Sequence, residues 1–295
     1  MMGYYKVADF VFAVKLRCER DLDVLLSSFS SFRIDDPGKE EQLFELIEKE
    51  EAGECPRSEF IEEDNNDLGQ TKLYRTEEGY RITLKYLEYV HVMDADPEFK
   101  RVSVTLRWED VYVSTALSSM LRIAFAQAIL MHSAVSLHSS VVVYEGKGNL
   151  FMGRSGTGKS THSRLWIEHL GARLLNDDNP IVRVVQGRAI VYGSPWSGKT
   201  RCYKNESVSV GAMVRLVQAP ENRFERKTDV EAFSLLLPGC SVLKYDRKLY
   251  GALCETLIEL TEIVCVGEMR CLPDKEAALV CCENINTVSR NDDEE

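Results

Sequence analysis

Along the first hundred residues apolar and polar positions alternate with a short period, and then the period changes. Residues 4–16 (YYKVADFVFAVKL) are rich in β-branched and aromatic side chains and read as a strand. Leu22 to Phe32 is short and compatible with a helix. Lys72–Arg75, Tyr80–Met93 (with room for a break) and Arg101–Trp108 read as further strands, parted by Glu78-Gly79 and by Asp94-Ala95-Asp96-Pro97. From Val111 the spacing turns helical: Leu117, Met120, Leu121, Ala124 and Ala128 recur at helical intervals, which predicts a buried helix of about five turns. Residues 1–110 are therefore expected to form a small β-rich N-terminal domain, with 111–131 as a connecting helix.

Beyond it, Val141–Tyr144 and Asn149–Met152 flank a Gly-bearing turn and predict a β-hairpin. Ser160–Leu170 has a helical pattern and Gly171 supplies its stop. Ala172–Asn176 reads as a short buried strand ending at Asp177-Asp178. Ile181–Val185 and Arg188–Tyr192 enclose Gln186-Gly187, too tightly for a crossover helix of about a dozen residues, so a second hairpin is expected. Ala212–Gln218 (strand), Asp229–Leu237 and Asp246–Glu262 (helices), Glu268–Leu272 (edge strand) and Pro273–Asn284 (closing helix) complete the reading. It is α/β, with hairpins on both sides of one central helix over residues 132–285 and a frayed tail over 286–295.

Composition narrows the partners. The chain has 295 residues, 44% hydrophobic and 28% charged, enough to bury a sizeable core. Its net charge of −11 lies entirely in the first third: residues 1–100 hold 24 acidic against 13 basic side chains, and residues 101–295 hold 23 of each. The acidic stretch 35–67, poor in bulky apolar residues, reads as a solvated, partly mobile insertion. Without a basic field, nucleic acid is not expected as a partner. The nine Cys form no C-x-x-C pair, which favours reduced thiols in a cytoplasmic protein. No run approaches 18 apolar residues and no apolar leader opens the chain, so neither a membrane partner nor a signal peptide is expected.

The candidate chemistry lies in Gly153-Arg154-Ser155-Gly156-Thr157-Gly158-Lys159-Ser160-Thr161, which fits G-x-x-x-x-G-K-[ST]. In such a loop glycines let the backbone approach phosphate closely, the lysine reaches the terminal phosphates and the hydroxyl holds Mg²⁺. The hairpin before it and the helix and strand after it are the setting the motif requires. Asp177 and Asp178, adjacent at a strand end, suit metal binding and proton acceptance, although Asn176-Asp177-Asp178-Asn179-Pro180 is also good turn chemistry. Gly193–Thr200 fits the same pattern, but Pro195 and Trp196 spoil the amide nest and no amphipathic helix follows. It reads as a loop able to carry Lys199 and Arg201 over the phosphates or the acceptor. His138 is placed to sit beside a transferred phosphate or to be an ordinary core histidine. His132 and His162 are weaker candidates, and Trp166 reads as helix-packing core.

With these residues placed, the chain resembles the HPr kinase/phosphorylase family and, more distantly, ATP-dependent phosphoenolpyruvate carboxykinase. The likeness rests on Gly153–Ser160, on Asp177-Asp178, on His138 fifteen residues before the first loop glycine, and on the H-S-S-V and N-D-D-N-P segments starting at His138 and Asn176. It spans roughly residues 130–240. It implies a P-loop kinase domain of HPr-kinase/carboxykinase type that uses ATP and Mg²⁺ to phosphorylate a hydroxyl. Lys159 would bind phosphates, Ser160, Asp177 and Asp178 would lie on the metal side, Asp178 would be the acid/base, and His138 would stand near the phosphates. Two features depart from the family: Ser160 is followed by Thr161 rather than Glu, and the L-E-x-R-G-[LI]-G signature is missing. The acceptor class therefore stays open among a peptide, a small protein and a small molecule, as does self-association. A small-molecule kinase, a carboxykinase-like enzyme and a nucleotide-sensing module without turnover remain alternatives.

Overall fold

A computed structural model describes residues 1–17, 21–54, 57–66, 69–198 and 200–289. The fold is mixed α/β with two large sheets, and the chain divides into two compact units, Met1–Ile129 and Leu130–Glu295. The helix expected as a connector over 111–131 thus falls almost wholly within the first unit.

The first unit is a nine-stranded sheet: β1 (Met2–Val7), β2 (Phe10–Lys15), β3 (Arg33–Ile34), β4 (Gln42–Glu48), β5 (Glu59–Asn66), β6 (Gly69–Thr76), β7 (Gly79–Tyr86), β8 (Tyr89–Ala95) and β9 (Arg101–Thr105), in the order β3-β1-β2-β4-β9-β8-β7-β6-β5. A one-turn helix α1 (Leu22–Leu25) lies between β2 and β3, and α2 (Val113–Ala128) follows β9. Two expectations need correction. Residues 4–16 are a hairpin and not one strand, because Ala8 and Asp9 both take positive φ (49° and 62°) and turn the chain without glycine. The break allowed for in Tyr80–Met93 falls at Leu87 (φ 49°), where the chain turns into the β7–β8 hairpin. The described part of the acidic stretch 35–67 is not a loose insertion. It supplies β4, which lies between β2 and β9 and runs parallel to both. Leu43, Phe44 and Leu46 of β4 are buried, and the Phe44 ring stacks on Phe12 at 4.8 Å. Cys55, Pro56 and Asp67 of that stretch lie outside the described residues.

Val113–His132 is long and apolar enough to cross a membrane, but 72% of its apolar window is buried inside the protein, as in a core helix. Phe125 of α2 meets the rings of Phe10 and Phe12 at 6.2 and 5.8 Å.

The second unit holds β10 (Ala134–Ser136), β11 (Ser139–Tyr144), β12 (Lys147–Met152), α3 (Lys159–Leu170), β13 (Arg173–Asn176), β14 (Ile181–Val185), β15 (Arg188–Tyr192), β16 (Ser207–Gln218), β17 (Arg223–Lys227), α4 (Asp229–Leu236), α5 (Arg247–Ile263), β18 (Cys265–Cys271) and α6 (Lys275–Ser289). The sheet runs β10-β14-β15-β16-β12-β11-β13, and β18 pairs with the distal half of β16. β12, β16 and β18 are parallel, while β11–β12 and β14–β15 are the two expected hairpins. β18 is no edge strand, since β17 covers its outer side. β17 (RFERK) escapes a hydrophobicity reading because four of its five residues are charged. Its Phe224 ring packs where a Cβ on Gly267 would stand, 2.2 Å from that ring, so the glycine admits the strand. α6 continues to Ser289, so residues 286–289 of the expected tail are helical, and 290–295 lie outside the described residues. The seven described cysteines are free thiols.

One sheet face is packed by α3 and α6 through Phe151, Leu165, Trp166, Met269 and Cys281. Gly171, left-handed at φ 72°, closes α3 as expected. Within this core the Trp166 indole N–H donates to Nε2 of His162 at 3.1 Å, so that nitrogen must be an acceptor and the ring neutral. Burial pushes the His162 pKa down to about 4. Its folded value is thus below its unfolded one, and as pH falls the unfolded chain takes up the proton first. The stability this confers is complete above about pH 6.5 and is lost on acidification toward pH 4, on the order of 3 kcal/mol. Denaturant unfolding between pH 7 and pH 4 should show that loss in the wild type and a shallower pH slope in His162→Gln. Equal slopes would remove His162 as the cause.

Candidate functional site

The β11–β12 hairpin aims the chain into the glycine loop. Gly153 leaves β12 at φ 152°, where a Cβ would press on Thr157 at 3.1 Å. Thr157 tightens the turn by donating its hydroxyl and its backbone N–H to the Arg154 carbonyl, at 2.5 and 3.1 Å. Gly156 (φ 80°) and Gly158 (φ 107°) carry the left-handed steps that bring the backbone into α3. No side chain caps the start of α3. Its first-turn amides and the positive end of the helix dipole are left for an anion. Arg154, Ser155 and Gly156 are exposed, and Thr161 lies half-buried in the first turn. Gln218, at the end of β16, donates to the Gly156 and Thr157 carbonyls at 3.3 and 3.4 Å, bracing the loop from outside.

Lys159 folds back over this loop. Its ammonium donates to the Gly153 carbonyl at 3.1 Å and to Nε2 of His138 at 2.9 Å. Burial pushes its pKa down, and Asp178 and Asp177 oppose that by raising it. Because an ammonium can only donate, Nε2 of His138 accepts, which leaves the ring proton on Nδ1. Nδ1 lies 2.7 Å from Oδ1 of Asp178. A carboxylate, an imidazole and the Lys159 ammonium therefore form one hydrogen-bonded line.

The carboxylates are held by the pairing of β11 with β13: Val141 opposes Asn176, and the Ser139 N–H donates to the Asp178 carbonyl at 2.9 Å. Asp177 and Asp178 are each more than nine-tenths buried. Oδ2 of Asp178 accepts from the Asn179 amide at 2.5 Å. Oδ1 of Asp177 accepts from the Ser140 and Ser160 hydroxyls at 3.1 and 3.2 Å, and Oδ2 from the Thr200 N–H at 3.2 Å. Among the described residues no three His, Cys, Asp or Glu gather as a self-sufficient metal site. Ser160 and Asp177 are instead a partial set of hard oxygen donors, which suits a Mg²⁺ ion completed by phosphate oxygens and water.

The stretch Gly193–Thr200 runs against this strand end. Asn176 sends its side-chain amide to the Ser194 carbonyl (3.4 Å), the Ser194 hydroxyl (3.2 Å) and the Trp196 carbonyl (3.0 Å), while its own oxygen accepts from the Asp178 N–H at 3.0 Å. Gly198 fits closely, since a Cβ there would meet the Asp177 carbonyl at 3.0 Å. No helix follows the loop, in keeping with its reading as something other than a second phosphate loop. Lys199 lies outside the described residues. Arg201 is exposed beyond Thr200. His132 is exposed, and Trp166 is core as expected.

Asn176, Asn179, Ser140, Ser163 and Gln218 were not singled out from the sequence. The N-D-D-N-P and H-S-S-V segments were the available signal for all but Ser163 and Gln218, whose roles arise from contacts 23 and 62 residues distant.

No protein-family model and no curated protein matches the chain by sequence. Among solved structures it is similar to the HPr(Ser) kinase/phosphatase from Coxiella burnetii, at 15% identity and a TM-score of 0.31, over 54% of this chain and 99% of that one.

Removing the Asn176 amide takes three donor contacts from the 194–196 backbone and hydroxyl and one acceptor from Asp178. Asn176→Ala should lower stability by about 2 kcal/mol. It should also speed amide exchange over 194–198. Unchanged protection there would mean that something else anchors the loop.

Proposed function

We propose that this chain is an ATP- and Mg²⁺-dependent phosphotransferase that moves a γ-phosphoryl group to a hydroxyl, with a Ser of a peptide or small protein as the acceptor class. The observation that carries the reading is the line Asp178–His138–Lys159, with 2.7 and 2.9 Å links, beside an uncapped helix N-terminus. Phosphoryl transfer asks little of a protein beyond positioning, a base for the nucleophile and cations for the phosphates, and these residues supply each.

In this reading the amides of Gly153–Ser160 cradle the phosphates. Lys159 leaves the Gly153 carbonyl and His138 to meet the β- and γ-phosphate oxygens. Ser160 and Asp177 would hold Mg²⁺, which when bound neutralises the phosphate charge. Asp178 accepts the proton of the attacking hydroxyl as the new O–P bond forms, and ADP departs with the electrons of the broken bond. His138 keeps Asp178 oriented through Nδ1 and reports to it, by losing its Lys159 contact, that the phosphate site is filled. The resemblance of Gly153–Ser160 and Asp177-Asp178 to HPr kinases supports the same roles. Lys199 and Arg201 remain candidates for charge stabilisation if the 193–200 loop closes over the phosphates.

Lys159→Met should weaken ATP binding about 10-fold or more, the loss of a charged hydrogen bond, as measured by calorimetry. Asp178→Asn should keep ATP binding within about twofold while slowing transfer by about 10²-fold or more. Transfer is read with radiolabelled ATP against peptide, protein and metabolite panels. ADP release unchanged by Asp178→Asn would remove the base assignment, and label on metabolites alone would replace the acceptor class.

A further inference from the structure

The two oxygens of Asp177 are held differently. Oδ2 takes one backbone N–H from Thr200, whereas Oδ1 takes two hydroxyls. One belongs to Ser160, exposed in the first turn of α3, and the other to Ser140, fully buried in β11. Ser140 in turn accepts from the hydroxyl of Ser163 at 2.8 Å, itself buried one turn further along α3. A carboxylate can only accept, so the Ser140 proton is committed to Asp177 and its lone pairs are left for Ser163. The result is a directed chain from α3 through β11 to the end of β13. In a buried setting each bond polarises the next.

A packing role alone does not call for this arrangement. The contact between a strand and a helix is made well by two small apolar groups, and removing both partners of a buried hydrogen bond together is close to neutral. The Ser140 hydroxyl, backed by that of Ser163, instead meets the one carboxylate oxygen that also faces Ser160. We propose that Ser140, backed by Ser163, is a positioning residue that fixes Asp177 Oδ1 toward the metal side of the phosphate site. The inference rests on the Mg·ATP reading above and extends it to a residue that touches neither the nucleotide nor the ion. Ser160 is the hydroxyl that would turn from Asp177 to the cation. Ser140 stays, holding the same oxygen from behind so that the carboxylate does not rotate away.

The test is calorimetric titration of the full chain with ATP, once in EDTA and once with Mg²⁺. Ser140→Ala should leave Mg²⁺-free ATP affinity unchanged and cut the gain that Mg²⁺ confers by about 10-fold, the scale on which groups behind a metal ligand act. Ser163→Ala should cut the gain less. Ser140→Thr, which restores the hydroxyl at a strand position that accepts β-branching, should recover it. The double variant Ser140→Ala/Ser163→Ala, which leaves no orphan hydroxyl, carries the comparison should the single variant not fold. A Ser140→Ala protein that binds Mg·ATP as tightly as wild type, or that loses affinity equally with and without Mg²⁺, overturns the positioning role and leaves the functional reading intact. A wild type that binds no ATP in either buffer overturns both.

Discussion

Two adjacent carboxylates lie buried at the end of β13, and the elements around them supply hydrogen-bond donors to both. An isolated carboxylate taken out of water costs several kcal/mol even after the protein relaxes, so every oxygen needs donors. Here they come from His138, Asn179, Ser140, Ser160 and the Thr200 backbone. Those five groups belong to β11 and the residue just before it, the strand end itself, α3 and the loop after β15. Satisfying the carboxylates therefore fixes the relative placement of the helix, the hairpin and the loop. The glycine at 198 and the amide of Asn176 serve the same end by letting the loop come close and holding it there.

The anion side follows a complementary logic. The start of α3 is left without a side-chain cap, and its glycines adopt φ values that other residues reach only under strain. Such a terminus is electrostatically incomplete, and Lys159 lies across it, bonded to the loop and to the imidazole that leads to Asp178. The acid end and the basic end of the site thus meet in one ring. The Lys159 contact also sets the tautomer of His138, because a lysine ammonium offers no lone pair.

Where the sequence was legible, one local signal sufficed. Gly171 marked the end of α3, Gln186-Gly187 marked the β14–β15 turn, and Asp246, which caps α5 by accepting from the Lys248 and Leu249 N–H groups, marked a helix start. Where it was not, the deciding contact was distant or the local signal pointed elsewhere. Ala8 and Asp9 turn the chain without glycine, Asp9 being a lone turn-former within a run of strand-forming residues. β4 hides four buried positions inside an acidic stretch whose averaged composition suggests solvent. β17 is nearly all charge and is a strand because β18 offers an edge and Gly267 a recess for Phe224.

By itself the sequence determined the phosphate-loop pattern, the helix after it, the strand ending in Asp177-Asp178 and the failure of Gly193–Thr200 to be a second such loop. Each depends on residues within about one turn of helix or hairpin, where backbone preference and spacing act directly. The tertiary structure alone decided that His138 stands between Asp178 and Lys159, that Ser163 and Ser140 line up behind Asp177, and that the 193–198 segment is tied down by Asn176. These are side-chain hydrogen bonds between groups 18 to 40 residues apart in the chain. Their geometry is set by how strands β11 and β13 pair and how α3 lies across them, and no local propensity encodes that.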